Sequence, residues 1–69
     1  MNDGIIGYEV REDVFVDGTT IFDVFQTLEN GDAEYVDSFY DEVAATAYAE
    51  TCAKDNGIEG CEVKVRRGE

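Results

Sequence analysis

Apolar residues alternate along the first half of the chain, then switch to helical spacing once, near residues 41–57. Ile6, Tyr8, Val10, Val14 and Val16 share one parity, the pattern of a strand that buries one face. Glu12 interrupts that parity, so a bend or bulge is expected near Glu12-Asp13. The run TTIFDVFQTLE (19–29) is rich in β-branched and aromatic residues, with Phe22, Val24 and Leu28 on one side and Ile21, Asp23 and Phe25 on the other. Ala33 to Phe39 reads as a third strand. Asp17-Gly18 and Asn30-Gly31 separate the three runs, and such dipeptides between alternating segments are strong hairpin signals. An antiparallel meander follows.

The segment DEVAATAYAETCAKDNG (41–57) predicts a helix. Tyr40, Ala44, Ala47, Tyr48 and Thr51 fall on one stripe flanked by Val43 and Cys52, with Glu42, Thr46, Ala49 and Ala53 opposite. Asp41 and Glu42 at the start and Lys54 near the end suit the helix dipole, and Asn56-Gly57 is a stop signal. Cys61, Val63 and Val65 then alternate with Glu62, Lys64 and Arg66, which reads as a last strand. The expected fold class is α+β: one domain over residues 1–69, an antiparallel β-sheet in the order β-β-β-α-β, with one helix packed on one face.

Composition changes this picture in two ways. A chain of 69 residues supports only a thin core, yet 43% hydrophobic residues with four Phe and four Tyr exclude a disordered acidic tail. The charge is extreme: 17 Asp or Glu against five Lys or Arg, a formal net charge of −12. From Glu12 to Ala53 there is no basic residue, while Lys54, Lys64, Arg66 and Arg67 lie toward the C-terminus. Such a field repels nucleic acid and anionic membranes and favours cationic surfaces. The N-terminal MNDGIIGYEV has neither a basic region nor a long apolar run, so a cytoplasmic location is expected.

Chemistry narrows the reading further. There is no His, no Gly-rich phosphate loop and no carboxylate pair distinguished from the rest, so no enzyme is expected. Cys52 and Cys61 read first as reduced thiols; a bridge between them would tie the helix end to the last strand. Without His or a CxxC motif, neither zinc nor another metal or cofactor is expected. Three features remain. The carboxylates Glu12, Asp13, Asp17, Asp23, Glu29, Asp32, Glu34, Asp37, Asp41 and Glu42 are either a solvated shell or an ordered binding face. Ile21 and Phe25, joined by Phe15 and Val36, are either cross-strand packing or a contact patch on the open sheet face. Lys64, Arg66 and Arg67 read as local balance to Glu59, Glu62 and Glu69.

Acids two apart on a strand stand about 6.6–6.8 Å apart, and neighbouring strands add rows about 4.8 Å away. Rows of that kind imitate the phosphates of a nucleic acid. In its acidic block from Glu12 to Glu50, its FYDEVAATAYAETCAKDNG helix and its freedom from Pro and His, the chain resembles the small phage-encoded anti-CRISPR and DNA-mimic inhibitors. The resemblance covers the character of the whole chain and no specific motif. It implies a partner in the bacterial host cytoplasm, a basic nucleic-acid-binding protein or complex such as a CRISPR effector, with no nucleic acid or membrane bound directly. The alternative is a homodimeric interaction module that uses the aromatic sheet face, its acids serving solubility.

Overall fold

Four strands and one helix make up the computed structural model, which describes residues 4–58 and 63–66. They follow the expected order: β1 (Ile5–Val14), β2 (Thr20–Leu28), β3 (Ala33–Phe39), α1 (Glu42–Asp55) and β4 (Lys64–Arg66). The sheet order is β3-β2-β1-β4. The β1–β2 and β2–β3 pairs are antiparallel as expected, but β4 pairs with β1 in parallel, so the sheet is mixed. Direction explains the difference. β1 and β3 point the same way, and a single helix brings the chain back to their starting end, so the next strand must run with β1.

The two hairpins use one turn chemistry twice. Phe15 N–H donates to the Thr19 carbonyl and Gly18 N–H to the Phe15 carbonyl; Leu28 pairs with Asp32 and Gly31 with Leu28 in the same way. Asp17 Oδ1 accepts from Thr19 N–H and Asn30 Oδ1 from Asp32 N–H, each at 2.9 Å. Only the glycines take positive φ, +92° at Gly18 and +95° at Gly31. Each turn is therefore a three-residue loop ending in a left-handed glycine, not the two-residue type that would also put Asp17 or Asn30 at positive φ. A Cβ at either glycine would meet nothing within 4 Å, so only backbone strain opposes alanine. Gly18→Ala and Gly31→Ala should each lose about 1 kcal/mol of stability, measurable by urea unfolding.

The core lies between the sheet and α1. Tyr8, Val10, Phe22 and Val24 from the sheet meet Ala45, Ala49 and Ala53 from the helix, all buried. Phe22 and Val24 thus face the helix as their parity predicted. The helix itself is turned away from its predicted orientation. Its buried row is Ala45-Ala49-Ala53, whereas Ala44, Ala47 and Thr51 are exposed and Tyr48 and Cys52 form the margin. At 100° per residue the true contact line lies roughly 150° round the axis from the expected stripe. Alanine sits on both sides, so the tyrosines set the expectation, and Tyr40 precedes the helix and stays exposed.

Asp41 caps the helix by accepting from Ala44 N–H at 3.0 Å. At the other end Asn56 Nδ2 donates to the Tyr8 hydroxyl at 2.8 Å, tying the helix stop to β1. No bulge occurs at Glu12: it pairs in register with Phe22, and the β1 irregularity lies at Ile5/Gly7 instead. A second irregularity between Val24 and Phe25 places Val36 as an extra residue on β3. Cys61, the other thiol and the alternative bridge partner of Cys52, lies outside the described residues, as does Arg67.

Candidate partner-binding surface

The ten carboxylates named from the sequence do not form one lattice. Glu12, Asp13 and Asp17 belong to the β1–β2 hairpin, Glu29 and Asp32 to the second turn, and Asp23 to the middle of β2. Glu34 and Asp37 stand exposed on β3, an edge strand, and the chain continues directly into Asp41 and Glu42. From Asp32 to Asp41 this acidic edge extends for roughly 30 Å at about 3.3 Å per residue.

Several of these acids also hold local structure. Asp17 closes its turn, Asp41 caps α1, and Asp37 Oδ1 accepts from Ser38 N–H at 2.8 Å. Glu34 accepts from Gln26 Nε2 at 2.6 Å. Asp23 Oδ1 accepts from the Ser38 hydroxyl at 2.7 Å, and that hydroxyl oxygen lies 2.5 Å from Tyr35 Oη, an open-face chain across the β2–β3 pair. Each carboxylate keeps further lone pairs for a partner.

The Thr19 backbone N–H bonded to Asp17 holds the Asp17 carboxyl below its ordinary 3.8. A depressed folded-state value means its contribution is present above the unfolded pKa and lost as pH falls through the folded one. The Asp17 side-chain carboxyl carbon should therefore titrate below 3.8 by NMR, and Thr19→Pro, which removes the N–H, should bring the midpoint back toward 3.8.

The cations collect on the other side of the sheet. Lys64 and Arg66 pair with Glu9 and Arg11 along the β1–β4 edge, about 14 Å from β3 at three interstrand spacings. Arg11 Nε bonds the Glu9 carboxylate, and Arg66 Nε lies 3.5 Å from the same oxygen. Arg66 is thus balanced by Glu9, a residue the sequence did not single out, while the expected partners Glu59, Glu62 and Glu69 lie outside the described residues. The parity of Glu9 with Phe25 was the available signal. The sheet has one negative edge and one positive edge.

The expected aromatic patch is dispersed. Phe25 lies under the Arg11 guanidinium, 4.2 Å from the ring centroid, and meets Tyr35 edge-on at 5.9 Å. Val36 packs against the helix-side core, not on the open face, because the extra β3 residue reverses its parity. Ile21 is half-buried, and Phe15 sits in the first turn. Tyr48, beside Phe39 at the core margin, has its hydroxyl pKa raised above 10.0, first by its hydrogen bond with the Cys52 thiol.

Among the described residues, no helix is long and apolar enough to cross a membrane. Comparison with protein-family models, curated proteins and solved structures finds no match to this chain.

Proposed function

We propose that the protein is a non-catalytic, acidic DNA-mimic inhibitor of the anti-CRISPR kind, acting in the cytoplasm of a bacterial host. In this reading its negative edge occupies the basic nucleic-acid-binding surface of a defence complex and excludes DNA. One observation carries the proposal: the separation of charge across the sheet, with Glu34 and Asp37 on the edge strand β3 and Asp41 and Glu42 just beyond it, against Lys64 and Arg66 on the opposite edge strand β4 and Arg11 on the adjoining β1. A shell kept only for solubility has no need of that polarity, and a net charge of −12 exceeds the magnitude of about 8 that keeps a small domain soluble.

Charge-assisted contacts to Arg and Lys would hold the edge as they hold phosphates. The test is displacement: purified CRISPR effector complexes are incubated with their target DNA and increasing protein, and bound DNA is followed by mobility shift. DNA should leave the complex at about 0.1 M salt and remain bound at several-fold higher salt, where screening is short-ranged. Full DNA occupancy at saturating protein across the effectors tested would sink the proposal.

A further inference from the structure

The β1–β2 hairpin reaches past the end of β3. Glu12, Phe22 and Phe39 form the last row shared by three strands; beyond it Asp13 pairs with Ile21 and Val14 with Thr20, without β3. The molecule measures 40 × 22 × 17 Å, while a helix of 14 residues covers about 21 Å. At this overhanging end three consecutive apolar residues face solvent: Val14 50%, Phe15 45% and Val16 109% exposed. Val16 occupies the turn between the Phe15 and Gly18 hydrogen bonds, a position where the fold asks for no hydrophobic side chain. Exposed apolar residues grouped in this way, rimmed by polar ones, mark contact surfaces.

The rim decides the occupant. Asp13 and Asp17 flank the apolar triplet, and no Lys or Arg occurs from Glu12 to Ala53. Two tips meeting head-on would oppose Asp13 and Asp17 to their own copies. The exposed helix face around Val43 is edged by Glu42 and Glu50, so it is no better a seat. The hollow of about 430 Å³ lined by Ile6, Gly7, Glu9, Lys64 and Arg66 carries two cations, one of them paired with Glu9, but it belongs to a molecule of net charge −12, and copies repel.

We infer that the tip Val14-Phe15-Val16 is a docking knob for a protein partner whose apolar pocket is rimmed by Lys or Arg. The inference rests on the proposed function and adds to it: the basic surface bound by the acidic edge has an apolar socket beside it.

The experiment measures affinity for the effector complex that the protein displaces from DNA, using Phe15→Ser, Val16→Ser and, as an exposed apolar control, Val43→Ser. The tip variants should bind roughly 10- to 100-fold more weakly at fixed salt, with the salt dependence unchanged and Val43→Ser like wild type. Wild-type affinity in Val16→Ser, which gives up no packing, overturns the inference and leaves the charge reading intact. If no effector binds the wild type, the charge reading falls and chromatography decides the knob. Wild type should then outlast Val16→Ser and Phe15→Ser on a phenyl-quaternary-amine resin while all three elute together from a plain quaternary-amine resin. Co-elution on both resins overturns it, as does an oligomer seen by light scattering, or binding to phosphatidylcholine vesicles, that the tip variants abolish.

Discussion

Ala49→Asp should leave the protein unfolded at 25 °C, whereas Ala47→Asp, two residues away on the same helix, should stay folded. Both substitutions carry the same helix-propensity cost, about 0.7 kcal/mol or less relative to alanine. The difference is the environment. Ala49 is 0% exposed and lies in the core cluster with Val10 and Val24, and among the described residues no buried side chain is charged. A carboxylate at that position loses its water and gains no partner, at a cost of several kcal/mol. A domain of this size has roughly 3–10 kcal/mol to lose. At Ala47 the same carboxylate stays in water. Far-UV circular dichroism with urea titration reads the outcome directly. A folded Ala49→Asp beside an unfolded Ala47→Asp would mean that the helix presents the opposite face to the sheet.

That pair of variants probes the part of the fold least legible in the sequence. The strands and turns were readable because their signals are local: alternation over seven to ten residues, then a glycine able to take positive φ at Gly18 or Gly31. The helix was readable in extent, from the Asp41 cap to Asn56-Gly57, but not in rotation. Ala44 and Ala47 look the same as Ala45 and Ala49 on a hydrophobicity pattern, and burial depends on which row the sheet can approach most closely. Two other features are non-local. The direction of β4 depends on how the chain crosses the sheet, and the inward side of Val36 depends on one extra residue between the Val24 and Phe25 pairs. The acidic block was plain in the sequence. Its conversion into a negative edge opposite a positive one required the strand order β3-β2-β1-β4.

The strand order leads to the second large effect. Reversing Glu34 and Asp37 to lysine should weaken binding to a basic nucleic-acid-binding complex about 100-fold at 0.1 M salt. Each lost pair removes a contact worth about 0.7 kcal/mol at a partly exposed rim, and each new lysine adds like-charge repulsion of similar size, which together make about 100-fold. The two reversals also raise the formal net charge from −12 to −8, so a matched control is essential. Glu50→Lys with Asp55→Lys makes the same change on exposed positions of α1, away from the β3 edge. Under the edge reading the control loses only the long-range share, a few-fold in association rate that vanishes as salt rises. The edge variant loses short-range contacts too, so its deficit persists in the dissociation rate. Side chains at 34 and 37 are exposed on an edge strand, and the hydrogen bonds they give up go to Gln26 and the Ser38 backbone, so the fold should survive the change by circular dichroism. Equal losses in the two double variants would show that the partner responds to total charge alone, and the β3 edge would then be a solvated face and not a binding one.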